Sequence, residues 1–215
     1  MAVGLGWIQY SNVSRITRWR YLGRGFEMSA TAGTNALSHA RLDDLDRADR
    51  ELVEAAQQAS ENAYAPYSGF AVGAAVRTRG GATYTGANLE NACYGLGICA
   101  ELSAVTVANA AGDLDITSIA VSGHKFTAPP DATQVVTPCG RCRQVIFEAS
   151  QVSGLDIRVL SCSGDLRQVN IAPISFLLPE AFGPANLGLT QVWPSMADTL
   201  RRRVRALTNR KRGHF

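Results

Sequence analysis

Cys99, Glu101, Cys139 and Cys142 have the types and spacing that could hold a metal ion and move a proton. Cys99-Ala100-Glu101 is followed forty positions later by Pro138-Cys139-Gly140-Arg141-Cys142. A lone CxxC is weak evidence, because redox motifs and structural zinc sites share it. Here a distant third cysteine joins it and no second CxxC closes a tetrahedron. His39, His124 and His214 lie far from both motifs in sequence. Catalytic zinc takes three protein ligands and keeps a fourth position for water or substrate. Three thiolates fit that pattern, so Zn²⁺ is the cofactor these residues imply. Three merely small core cysteines would explain neither the spacing nor the carboxylate two residues after Cys99. A Glu in a first helical turn can serve only the helix dipole. Beside a metal it can instead take a proton from water and return it to a substrate.

The elements around these motifs must hold them still. From Asp43 onward Leu45, Ala48, Leu52, Ala55, Ala59 and Ala63 recur every three or four positions, which predicts an amphipathic helix that Pro66 stops. Residues 70–78 and 82–89 read as strands joined at Gly80-Gly81. Residues 99–111 are small and apolar, suited to a buried helix. Residues 119–121, 135–137, 157–160 and 166–171 read as strands, residues 142–149 as a helix, and residues 176–178 as a short helix between Pro173 and Pro179. The order α-β-β-α-β-α-β predicts an α/β fold, one mixed sheet covered by helices. Cys99 and Cys139 then fall where helices begin, and unpaired N–H groups there favour thiolate.

Cys99-Ala100-Glu101 with residues 138–144 resembles the zinc nucleobase deaminase signature. Tyr67-Ser68, Phe70-Ala71-Val72-Gly73, Asn88-Leu89-Glu90-Asn91, Tyr94-Gly95 and Leu177-Leu178-Pro179 with Phe182 narrow the resemblance to the cytidine deaminases, over residues 45–190. The resemblance implies their three-layer fold and hydrolytic deamination of cytidine and deoxycytidine. It implies that Asn88 and Glu90 hold the ribose hydroxyls, Phe70 packs on the pyrimidine and Tyr94 meets the sugar near its 5′ end. The backbone at Ala100 and the carboxyl of Glu101 would read the base edge. Phe182 would be lent to a neighbouring subunit. A cysteine first ligand in a single-domain chain resembles the short homotetrameric branch. One departure stands out: many members carry Arg after the catalytic Glu, and here Leu102 stands there. Three thiolates on Zn²⁺ leave a net negative site, so Arg141 or Arg143 is expected to donate to sulfur.

The chain has 215 residues, 46% hydrophobic and 18% charged, enough for one globular domain with extensions. The catalytic domain is expected at 43–190, with a disordered leader at 1–42 and a basic tail at 191–215. The leader is Arg-rich, lacks the apolar run of a signal peptide, and contains Met28 as a candidate start; an organelle transit peptide is the alternative. Residues 1–26 carry +4 and residues 201–215 carry +7, leaving −8 between them for a total of +3. An acidic body opposes a polynucleotide-editing role and predicts no specific nucleic acid partner, although the tail could bind one weakly. No apolar run is long enough to cross a membrane. Five cysteines with three at ligand spacing predict a reducing, cytoplasmic setting. Two rivals remain: deamination of another base-like substrate such as blasticidin S, against which residues 88–91 argue, and a non-catalytic zinc module, against which Glu101 argues.

Overall fold

The computed structural model describes residues 37–127 and 133–189, and beyond them Asp198 and Arg202, both helical. Most of the expected leader and tail therefore lies outside the described residues. Among the described residues, six strands form one mixed sheet in the order β1 (Ser38–Ala40), β6 (Val169–Pro173), β5 (Arg158–Cys162), β4 (Ile116–Lys125), β2 (Phe70–Thr78) and β3 (Thr83–Ala87). Strands β2 (Phe70–Thr78) and β3 (Thr83–Ala87) make the expected hairpin. Strand β4 (Ile116–Lys125) pairs antiparallel with β2 and parallel with β5 (Arg158–Cys162), the one parallel strand pair among the described residues. Strand β6 (Val169–Pro173) returns antiparallel beside β5.

Alternation across the central strands divides the core. Ala74, Val76, Ile119 and Val159 join one cluster with α2 (Ala100–Ala110) and α3 (Gly140–Ser153). Their neighbours Ala75, Ala120 and Leu160 join another with Leu52, Val53 and Ala56 of α1 (Arg47–Ser60). Successive strand residues point to opposite faces, so the three-layer arrangement follows directly from apolar runs without polar alternation. Asp49 anchors α1 to the sheet. Its buried carboxylate meets Arg77 Nη2 at 2.7 Å and Arg158 Nη2 at 2.6 Å.

Several boundaries differ from the sequence reading. The first helix starts at Arg47, where Asp46 caps it by accepting from the Asp49 N–H at 2.8 Å; Asp43 falls in a preceding 3₁₀ turn, Leu42–Asp44. The helix ends at Ser60 rather than near Pro66, because the chain leaves it to pair with the end of the hairpin: the Tyr64 N–H donates to the Asn88 carbonyl. Strand β4 extends well past residues 119–121: Ser118 pairs with both β2 and β5, while Ser122 and Gly123 continue the pairing with β2 alone. Residues 135–137 form no strand, only a bridge between Val135 and Ser163. Within the segment read as leader, β1 (Ser38–Ala40) adds an edge strand against β6. Ser-His-Ala has little strand propensity of its own. Backbone pairing and His39 Nδ1, 2.7 Å from Asn170 Oδ1, place it there.

Two features carry this frame to the cysteines. Gly86 of β3 lets α2 lie directly on the sheet, because a Cβ there would come within 2.7 Å of Ser103 Cβ and 2.8 Å of the Ala100 carbonyl. Helix α3 packs on the same face, so the N-terminal ends of α2 and α3 converge. A four-residue helix α4 (Ile174–Leu177) and a 3₁₀ turn (Pro184–Leu187) close the described fold. Among the described residues, no helix is long and apolar enough to cross a membrane.

Candidate metal and catalytic centre

Cys99 is the N-cap of α2 and Cys139 the N-cap of α3, with Cys142 in the first turn of α3. Their sulfurs lie within 4.8 Å of one another, and Cys99 Sγ is 3.9 Å from Cys139 Sγ. Tetrahedral zinc with Zn–S bonds of about 2.3 Å separates its sulfurs by roughly 3.8 Å. The donor set fits zinc in both chemistry and spacing. Cys142 is buried, Cys99 partly so and Cys139 exposed, which leaves an approach from one side.

The electrostatics already favour a thiolate. A hydrogen bond from Cys142 draws the Cys99 thiol down to about 6, helped by Cys139 and the nearby Arg141 charge and opposed by burial and Glu101. The same pairing, with burial, pushes Cys142 upward. Metal binding must displace the shared proton. Glu101 sits in the first turn of α2, only 4% exposed. Burial raises its carboxyl above the ordinary range, while Cys142 pulls weakly the other way. Ala100 beside it is fully buried.

A second group of residues forms a cavity of about 360 Å³ lined by Tyr67, Ser68, Glu90, Asn91, Tyr94 and Gly97. Glu90 Oε2 accepts from the Tyr67 N–H at 2.9 Å and the Ser68 N–H at 3.2 Å. The Ser68 side chain, then these two N–H groups, hold the Glu90 carboxyl below its ordinary value against desolvation. The two N–H groups thus pin Oε2 and orient the carboxylate toward the cavity it lines. Asn88 is largely engaged in the frame: its Oδ1 accepts from the Val72 N–H at 2.8 Å and its Nδ2 donates to the Phe70 carbonyl at 3.0 Å. A carboxamide has two donor hydrogens, so one remains for a ligand. Tyr94 is 80% exposed and its ring meets Tyr67 edge to face, centroids 5.9 Å apart. A second cavity of about 480 Å³ at the opposite sheet edge, lined by His39, Arg41 and Arg167 among others, holds none of these residues.

The structure thus brings the three cysteines and Glu101 together, and gathers Glu90 and Tyr94 at the cavity. Phe70 is half-buried at the start of β2, its ring against Gly123. Phe182 is exposed and lines neither cavity. Arg141 Nη1 donates to the Gly97 carbonyl at 3.0 Å, and Arg143 donates to the Pro138 and Leu177 carbonyls. Their hydrogen bonds therefore go to backbone rather than to sulfur; Arg141 reaches Cys99 through its charge alone. The sequence reading gave no role to the Tyr67 and Ser68 N–H groups, which orient Glu90, or to Asn91 and Gly97. Tyr67-Ser68 was visible as a motif, but a backbone donor leaves no mark in residue type.

Comparison with known proteins agrees with this geometry. A family model described as the cytidine and deoxycytidylate deaminase zinc-binding region matches residues 46–154. The cytidine deaminase of Halalkalibacterium halodurans is 41% identical over 131 residues, 61% of this chain and 91% of that protein. The Mycobacterium tuberculosis cytidine deaminase is 39% identical over 129 residues, 60% of this chain and 84% of that one. The crystal structure of cytidine deaminase from Burkholderia pseudomallei superposes with a TM-score of 0.55 at 38% identity, covering 64% of this chain and all of that one. With the family model matched across both cysteine motifs and the fold shared with its solved members, this chain belongs to the cytidine and deoxycytidylate deaminase family.

Proposed function

We propose that this chain hydrolyses cytidine and 2′-deoxycytidine to uridine and 2′-deoxyuridine, releasing ammonia. The observation that carries the reading is the buried Glu101 carboxyl beside a three-thiolate cluster, on the same helix turn as one ligand. Cys99, Cys139 and Cys142 would hold the zinc, which when bound would make water nucleophilic at neutral pH. As the water oxygen bonds to C4, Glu101 takes one of its protons and delivers it to N3 of the pyrimidine. It then carries the second water proton to the exocyclic amine, so that the C4–N bond breaks and ammonia leaves. Burial supports this role, because it raises the carboxyl above its ordinary range and so makes it a better proton acceptor.

The cavity supplies the sugar contacts. A Glu90 carboxylate oxygen accepts from a ribose hydroxyl, and the spare Asn88 N–H donates to it. Tyr94 borders the sugar, Phe70 packs on the base, and the Ala100 backbone with Glu101 reads its edge. Buried polar recognition of a hydroxyl discriminates strongly against a ligand that lacks it. Replacing Glu90 by Ala therefore lowers kcat/KM for cytidine by at least about tenfold more than for free cytosine. Steady-state kinetics on both substrates check this; an equal fall for both shows that Glu90 supports the fold or the metal instead.

We also place the chain in a homotetramer, with pyrimidine nucleoside salvage in a reducing cytoplasm as its setting. Phe182 supports the assembly, because a large aromatic 59% exposed on the closing segment suits a neighbouring subunit's pocket. Light scattering at working concentration gives four times the chain mass; an active monomer contradicts the shared pocket. Cell fractionation reads the compartment, and recovery only from an oxidising one opposes it.

A further inference from the structure

We infer that Arg143 is a positioning residue that ties the loop carrying Cys139 to the closing segment, residues 174–183. The inference rests on Cys139 and Cys142 being zinc ligands. Arg143 Nε donates to the Pro138 carbonyl at 2.8 Å, and its Nη1 donates to the Leu177 carbonyl at 3.0 Å. Pro138 directly precedes Cys139, and Leu177 is the last residue of α4. A guanidinium is a rigid planar fork, so the two carbonyls it holds keep a fixed separation. Helix α4 has four residues, far too few to hold its own place. Its position comes from outside, and Arg143 supplies part of it.

The rest of α3 repeats the arrangement. Gln144 Nε2 donates to the Phe182 carbonyl at 2.7 Å. One turn further on, Phe147 lies under Gly183 so closely that a Cβ there would come within 2.6 Å of the ring. One helix therefore begins with two metal ligands and continues with three anchors for the segment that presents Phe182. Both Arg143 acceptors are main-chain carbonyls, so the side chain acts by geometry and not by neutralising a thiolate. Coupling of this kind is reciprocal. Zinc at the start of α3 steadies the closing segment, and loosening that segment weakens zinc.

Arg143→Lys tests this, because an ammonium keeps the charge but lacks the fork that spans both carbonyls. Competition against a chromophoric chelator measures zinc affinity for the parent and the variant. Loss of an outer partner typically weakens metal binding 10–100-fold, and that is the expected fall here. Hydrogen exchange over residues 174–183 gives a readout that a general loss of stability would not mimic. Zinc slows exchange there in the parent and much less in the variant. Should the lysine variant fail to fold, Arg143→Gln, which can reach only one carbonyl, gives the same comparison. Zinc affinity within about threefold of the parent, or equal zinc-dependent protection in both proteins, overturns the inference. A parent that binds no zinc overturns the ligand assignment and this inference with it.

Discussion

Glu101→Gln keeps the fold and the zinc and lowers kcat for cytidine by about 10²–10⁴-fold. Glutamine matches glutamate in shape, so the first turn of α2 and the packing around a side chain 4% exposed are preserved. It can donate and accept hydrogen bonds but cannot shuttle a proton. Every proton transfer assigned to Glu101 is then left to water, in a site where burial had raised the carboxyl for that task. Zinc content stays unchanged, because Glu101 is not among the three sulfur donors. The loss falls on kcat more than on KM, as expected when an interaction matters mainly in the transition state. Metal analysis with steady-state kinetics checks both halves. Turnover within about tenfold of the parent would remove Glu101 from the proton path.

Cys139→Ala removes the zinc. Two thiolates remain, and a two-ligand site does not retain zinc when catalytic sites need three protein ligands. The substitution separates metal loss from unfolding. Cys139 is exposed and makes no side-chain capping hydrogen bond, so alanine costs the α3 N-terminus little. Circular dichroism of the variant matches the zinc-free parent, while metal analysis after dialysis falls from about one zinc per chain to near none. Activity falls with it, beyond the Glu101→Gln loss, since no activated water remains. Full zinc occupancy in the folded variant contradicts the ligand assignment.

The chemistry-bearing residues were legible because their identity is the signal. A thiolate triad at fixed spacing and a carboxylate two residues from a ligand cannot be replaced by residues of similar size. The central layers were legible for a related reason: Ala74 to Val76 and Val159 to Leu160 alternate between faces with no polar break. Other features depend on partners. Strand β1 exists because β6 offers an edge, not because Ser38-His39-Ala40 prefers to be extended. Strand β4 contains serines and a glycine that read as loop until the long β2 strand pairs with them. The Arg141 and Arg143 acceptors are carbonyls, which every residue carries, so residue type pointed to sulfur and geometry to backbone. Likewise Asn88 reads as a ligand contact, yet most of its amide is held by β2.

The most direct test of the account is ultraviolet monitoring of purified, zinc-loaded protein with cytidine, deoxycytidine, cytosine, blasticidin S and a single-stranded oligonucleotide. The account predicts conversion of cytidine and deoxycytidine to their uracil nucleosides, with one ammonia released per nucleoside. Cytosine reacts far more slowly, and blasticidin S and the oligonucleotide remain unchanged. No conversion of either nucleoside by folded protein carrying one zinc per chain would contradict it, as would a clear preference for blasticidin S or the oligonucleotide.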